Sequence, residues 1–360
     1  MSRAAGGAPD GHGPAGPLVV VLGASGVVGT AVVAALTRRR VRLRAVARRR
    51  PMAPAGPHRA VEVELRAADL TDPGELAEAV RGAHAVVNLV KHDGGWRAAE
   101  QDPGSERANV GVMRGLLAGL RADAVSGPPP AVVFSATVSQ LGVPGPGPML
   151  GSEPDRPVTA YDRQKLAAER LLKEATAEGL VRGVSLRLPT VFGEVPHSPS
   201  ADQGVVSAMA RRALAGQELT MWHDGTVLRE LIHVTDVADA VTAALDHADA
   251  LAGAHWLLGA DRSVPLGEVL ALVARAAAEH TGRPPVPVVR VTPPADAPEI
   301  DFTSVTVDST PFRNVTGWRP RVPLRTAVKR TVAAQAARSA RPGPADPSGP
   351  PLPLPPVPAP

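Results

Sequence analysis

The chain is 360 residues long and 44% hydrophobic, enough for one large domain or two ordinary ones with a sizeable core. Aromatic residues are only 2% of it, so Ala, Val and Leu must build that core; a nucleic-acid surface of interleaved basic and aromatic side chains is excluded despite a formal charge of +4 and arginine runs at 38–40 and 48–50. The absence of cysteine excludes disulfides, thiolate catalysis and cysteine-ligated zinc, the histidines show no ligand spacing, and neither a span-length apolar stretch nor a signal-peptide hydrophobic region occurs, so a soluble cytoplasmic protein with no metal, membrane or nucleic-acid partner is expected.

Residues 1–17 are largely Gly, Ala and Pro, and residues 339–360 are dominated by Pro; both ends are expected to be disordered tails. The run Leu18–Leu22 breaks at Gly23, Gly26 and Gly29 and resumes with a helical pattern through Leu36 toward Arg39, which reads as strand, glycine turn, helix. Further strands are predicted at Val41–Val46, Val61–Leu65, Ala85–Val90, Ala131–Ser135 and Gly183–Leu188. Helices are predicted at Glu75–Arg81, Asn109–Arg121 and Val158–Ala177. This alternation predicts an α/β fold, a doubly wound parallel Rossmann sheet over residues 18–190 that binds ligands at the carboxyl ends of its strands. After Leu188 the pattern loosens, with a strand-helix unit at Leu231–Leu245 and helices at Pro265–Glu279 and Leu324–Ala336. A smaller, interleaved C-terminal substrate domain is therefore expected from residues 191–230 and 248–338, with 231–247 returning to the sheet because Leu231–Val234 reads as another of its strands.

The residues with chemical meaning follow strand ends. Gly23 can take a positive φ, Gly26 lets a pyrophosphate approach the backbone, and Gly29 lets helix and strand pack closely, with Ser25 and Val27 in the same phosphate-facing loop. Taken alone, the triplet also reads as an ordinary turn. Arg48 and Arg49 close the second strand, and no acid lies between Val41 and Arg59; guanidinium pairs with a 2′-phosphate, so the cofactor expected is NADPH, the alternative being a plain basic loop. Asp69 and Leu70 follow the third strand and either contact the adenine or, for Asp69, cap the helix Thr71–Arg81. Tyr161 is the only tyrosine, and Lys165 shares its helix face four residues on. An ammonium there is expected to lower a phenol whose ordinary pKa is about 10; the alternative is a surface helix with a stray aromatic. Ser135, Thr137 and Ser139 offer hydroxyls at the end of the fifth strand, with Thr137 preferred to hold a substrate carbonyl and local capping the alternative.

Taken with Arg187–Gly193 and Arg229–Ala238, these motifs resemble the extended short-chain dehydrogenase/reductases, the NAD-dependent epimerase/dehydratase superfamily, across Leu18 to Arg330. The phrases Arg42–Arg49, Ser135–Gln140 and Tyr161–Lys165 further resemble the NDP-4-keto-6-deoxyhexose 4-ketoreductases of actinomycete deoxysugar pathways. The resemblance implies a catalytic triad of Thr137, Tyr161 and Lys165, with Lys165 also on the nicotinamide ribose, Asn109 supporting a proton-relay water and Pro189 bordering the nicotinamide. Arg229 is implied to meet the sugar nucleotide's diphosphate; a salt bridge to Glu230 or Asp224 is its alternative. A homodimer through the helices Asn109–Arg121 and Val158–Ala177 is implied as well.

The implied reaction is NADPH-dependent reduction of the C4 carbonyl of a nucleotide-activated, dTDP-linked 4-keto-6-deoxyhexose. Val138 and Ser139 stand where the family's dehydratases carry an Asp-Glu pair, so elimination lacks its acid and base. Asn88–His92 replaces the usual small-residue loop after the fourth strand, and His92 is either a donor to substrate or a solvated loop histidine. Two other readings stand beside this one. Arg48 argues against an epimerase that retains NAD, and the Tyr161–Lys165 pair argues against a non-catalytic dinucleotide sensor.

Overall fold

The computed structural model describes residues 16–53, 59–92, 99–123, 127–193, 202, 204–260, 262–293 and 302–340. The two ends expected to be disordered lie outside these residues, apart from 16, 17, 339 and 340. Thirteen strands are formed among the described residues: β1 (Leu18–Leu22), β2 (Arg42–Ala47), β3 (Glu62–Ala67), β4 (Ala85–Asn88), β5 (Ala131–Thr137), β6 (Arg182–Leu188), β7 (Thr190–Phe192), β8 (Leu219–Met221), β9 (Leu228–Arg229), β10 (Leu231–His233), β11 (His255–Leu257), β12 (Val264–Pro265) and β13 (Val288–Arg290). Seven of them form one sheet in the order β11-β6-β5-β4-β1-β2-β3.

β1 is buried along its whole length, which is why it reads as a continuous apolar run rather than an alternating one. It pairs in parallel with β2 on one side and β4 on the other, so the strand order reverses beside it and a crevice opens at the carboxyl ends. β2 carries β3, and β4 carries β5, also in parallel. Contacts divide the chain into two compact units: Met1–Ala136 with Thr159–Leu186 and Ala238–His255, and Thr137–Val158 with Arg187–Val237 and Trp256–Pro360.

In the first unit, Leu22, Val46, Leu76, Met113, Leu116, Phe134 and Leu172 pack the flanking helices onto the strands. Fully burying each such side chain contributes roughly 1.5–3 kcal/mol. In the second unit, Phe192, Val206, Leu219, Leu231, Val269, Val273, Val328 and Val332 form a separate core under the helices Val205–Leu214, Leu266–Thr281 and Leu324–Ser339. No helix among the described residues is long and apolar enough to cross a membrane.

Three expectations are corrected. β10 does not return to the large sheet but pairs in parallel with β7, because Leu231 inserts its side chain into the core of the second unit. The returning segment is instead Ala238–His255, and the seventh strand of the sheet is β11. Residues Thr137–Val158, expected inside the dinucleotide-binding domain, group with the second unit. Strand ends also shift. β4 stops at Asn88 because the Asn88 Oδ1 accepts the Val90 N–H at 3.1 Å, turning the chain out of the ladder.

Candidate active site

The glycine loop has the expected shape. Gly23 sits at φ 82°, and its N–H and that of Ala24 donate to Val46 O at 2.9 and 3.1 Å, fastening the turn to β2. A Cβ on Gly29 would lie 2.2 Å from Gly23 O, so only glycine lets the helix Val27–Leu36 start this close to the loop. Gly26 is the N-cap of that helix; no side chain caps it, and no acid stands in its first turn. An unneutralised helix N-terminus beside a glycine turn fits the phosphates of a dinucleotide. Ser25 and Val27 are half-buried in the same loop.

Arg48 and Arg49 follow the end of β2 and are exposed. Asp69 is exposed and takes the Thr71 N–H and hydroxyl at 3.0 and 2.7 Å, which holds its carboxyl below the usual range. Asp69 is not the helix cap: Asp72 is, accepting the Glu75 N–H at 2.8 Å ahead of the helix Pro73–Val80. Leu70 turns its side chain into the core, leaving only its backbone to line a ligand.

Tyr161 and Lys165 lie in the first two turns of the helix Ala160–Ala177, whose start is fixed by a capping box between Thr159 and Asp162. Lys165 is 1% exposed, and its Nζ donates to Val90 O at 3.2 Å and Ser135 O at 3.0 Å while resting 4.7 Å from the Phe134 ring centroid. Two carbonyls at the ends of neighbouring strands and an aromatic face thus hold an ammonium that burial, then the Lys91 charge, pushes down to about 7. The Nζ is 5.9 Å from the Tyr161 ring centroid. The expected lowering of the phenol is corrected: burial, followed by the Asp162 carboxylate, pushes it above its ordinary value.

His92 is a tethered histidine rather than a solvated one. Its Nε2 lies 2.9 Å from Asp102 Oδ2, and its backbone N–H donates to Asn109 Oδ1 at 3.0 Å. Asn109, 2% exposed within the π-helical turn Arg107–Gly111, uses its Nδ2 to donate to Gln164 Oε1 at 2.7 Å. Both ends of this side chain are therefore engaged by protein groups, through one Oδ1 lone pair and one Nδ2 proton of the two that each end carries. Val90, Phe134, Asp102 and Gln164 carry no sequence signal of their own; only the proximity of Gln164 to Lys165 marked it.

Thr137 ends β5 and forms a capping box with Gln140 over the short 3-10 turn Val138–Leu141. Its Oγ1 accepts the Ser139 N–H at 3.3 Å and pairs with Ser139 Oγ at 2.7 Å. Either hydroxyl of that pair can be the donor. Ser135 Oγ donates to Asn88 O at 3.4 Å. Capping is thus part of what these hydroxyls do.

In the second unit, Arg187 is wholly buried against Asp155 at 2.7 Å and leads into the buried Pro189. Arg229 donates to Leu228 O at 3.1 Å and Thr303 O at 2.7 Å. Glu230 is turned inward, accepting from Ser263 Oγ, Ala260 N and Val307 N, and Asp224 accepts from Thr226. His233 is 4% exposed; the Thr235 N–H donates to its Nδ1, so the proton of the neutral ring sits on Nε2, and burial, with the Arg330 charge adding to it, pushes its pKa down to about 4.

A family model described as the NAD dependent epimerase/dehydratase family matches residues 19–259. The dTDP-6-deoxy-L-talose 4-dehydrogenase (NAD(P)(+)) of Kitasatospora kifunensis is 30% identical over 330 residues, 88% of this chain and 95% of that protein. A UDP-glucose 4-epimerase of Corynebacterium glutamicum is 25% identical over 293 residues, 78% of this chain and 84% of that protein. Among solved structures, MoeE5 in complex with UDP-glucose and NAD aligns with a TM-score of 0.72 at 26% identity, over 89% of this chain and 99% of that one.

Proposed function

We propose, on the premise that the chain belongs to the NAD dependent epimerase/dehydratase family, that it is an NADPH-dependent reductase of the C4 carbonyl of a dTDP-linked 4-keto-6-deoxyhexose. Family and relatives make it an NAD(P)-dependent enzyme of the oxidoreductase type. The observation that carries the reading is the pairing of Tyr161 with Lys165 on the helix Ala160–Ala177: the buried Lys165 Nζ lies 5.9 Å from the Tyr161 ring centroid, beside a phenol that in its protonated form donates to an alkoxide. The substrate class draws on the Kitasatospora relative, a dTDP-6-deoxysugar 4-dehydrogenase, whose named reaction is the same interconversion written as an oxidation. Arg48 and Arg49 support NADPH over NADH.

Bound NADPH supplies the hydride. The first N–H groups of the helix Val27–Leu36 bind the pyrophosphate, and Arg48 and Arg49 pair with the 2′-phosphate. The Thr137 hydroxyl holds the carbonyl oxygen, and Tyr161 Oη gives that oxygen its proton as the carbonyl carbon becomes an alcohol carbon. Lys165 binds the nicotinamide ribose and compensates the phenolate left behind, which needs the ammonium in its charged form. Arg229 meets the diphosphate of the substrate. A homodimer through the helices Val112–Ala122 and Ala160–Ala177 is part of the proposal, supported by an open groove lined by Arg114, Leu117, Ala118, Arg121, Ala122 and Leu171.

A second reading, an epimerase that retains NAD, draws on the Corynebacterium relative. Tyr161→Phe tests the proposal. Turnover of NADPH with a dTDP-4-keto-6-deoxyhexose is expected to fall by roughly 10²–10⁴-fold, as for loss of a general acid, with little change in NADPH affinity. Undiminished turnover overturns it.

A further inference from the structure

We propose that Gln164, inside the spacer between Tyr161 and Lys165, is a positioning residue that sets how the helix carrying both groups is seated. The effect on turnover rests on the reductase reading; the effect on the tyrosine environment does not. Of the three spacer residues, Asp162 closes the helix cap with Thr159, and Arg163 pairs with Glu100 at 3.3 Å on the surface. Gln164 uses both halves of its amide inward. Its Oε1 accepts from Asn109 Nδ2 at 2.7 Å, and its Nε2 donates to Ser105 Oγ at 2.8 Å. Both partners are almost wholly buried, at 2% and 1% exposure, and Ser105 passes its own proton to Ala99 O at 3.2 Å.

These contacts close a ring. Lys165 Nζ grips Val90 O, and two residues along the same loop the His92 N–H is held by Asn109 Oδ1. Asn109 Nδ2 returns to Gln164, which is joined to Lys165 by one peptide bond. The π-helical turn Arg107–Gly111 supplies the local widening at which Asn109 stands in this ring. Opening the ring at Gln164 leaves Asn109 Nδ2 and Ser105 Oγ without this partner in a buried place and frees the Asn109 amide that holds the His92 N–H, in the loop against which the ammonium is set. An amide suits the position because it donates and accepts at once without adding charge near Lys91, Lys165, and the His92–Asp102 pair.

Two variants test this. Gln164→Leu removes both bonds, whereas the carboxyl of Gln164→Glu reproduces both only when protonated. For Gln164→Leu, kcat is expected to fall roughly tenfold or more, the scale of a small misplacement of reacting groups, with KM for the sugar near wild type and a melting temperature lowered by the buried polar groups left without this partner. The Gln164→Glu variant is expected to turn over more slowly than wild type at alkaline pH, where its carboxylate accepts from Asn109 Nδ2 but cannot donate to Ser105 Oγ, and to recover toward the wild-type rate as pH falls through the titration of its carboxyl; recovery absent at every pH overturns the proposal. Because Tyr161 is the only tyrosine, ring-labelled tyrosine gives a single NMR signal per protomer. That signal is expected to shift or broaden in Gln164→Leu at neutral pH, with no substrate present. An unmoved signal with kcat within about twofold of wild type overturns the proposal, because misplacement of this kind changes rates by far more. A wild-type protein that reduces no such sugar removes the reductase reading, yet the tyrosine signal still decides the positioning role; if the Leu variant does not fold, Ser105→Ala and Gln164→Glu carry the same comparison.

Discussion

Gly29 fixes the gap between the first helix and the turn before it, and a methyl group there has nowhere to go: its Cβ would also lie 2.8 Å from Ala24 Cα. Gly29→Ala is expected to lower stability by about 1–3 kcal/mol, as for an overpacked contact, and to weaken dinucleotide binding; calorimetric titration and a melt report both. Arg48→Ala is expected to weaken NADPH binding roughly tenfold or more, the scale of a lost hydrogen bond to a charged group, and to leave NADH binding unchanged. Equal losses for the two dinucleotides would contradict a 2′-phosphate partner. Gly23, Gly29, Tyr161 and Lys165 were legible in the sequence because their meaning lies in local spacing. Val90 O and Ser135 O were not, since Lys165 reaches them across 75 and 30 positions of chain, and spacing carries no trace of such pairs.

At the scale of elements, the first unit was legible because β1, β4 and β5 open on apolar runs and the helices Pro73–Val80 and Val112–Ala122 repeat their apolar residues at helical spacing. The second was not: β9 and β12 have two residues each, and β7, β8, β10 and β13 three, too few for any periodicity. The run Leu231–His233 looked like a sheet strand for the right physical reason, complete burial, but it is buried in the other core. Its last residue brings a pH dependence. His233 is held neutral at about 4 in the folded chain against 6.5 when unfolded. The unfolded chain therefore takes up the proton first, and stability present above pH 6.5 is lost as pH falls toward 4, by about 3 kcal/mol in all. The stability of wild type relative to His233→Gln is expected to fall toward acid across that window; parallel curves would show that another group sets the slope.

For the whole molecule, the groove on Val112–Ala122 and Ala160–Ala177 predicts a second copy as its cover. Ala118 is exposed within it, so Ala118→Arg is expected to halve the mass seen by sedimentation without lowering the melting temperature of the monomer fold. A wild-type protein that sediments as a monomer at all concentrations contradicts the dimer. The family is established by the matched model and by a relative spanning nearly the whole chain, and the chemistry proposed within it turns on one reaction. The most direct measurement is the loss of near-ultraviolet absorbance of NADPH when purified protein meets a dTDP-4-keto-6-deoxyhexose, with the sugar product analysed alongside. One NADPH consumed for each C4 alcohol formed is the predicted result, and no consumption with any such sugar, or interconversion of C4 epimers without net oxidation, would contradict the account.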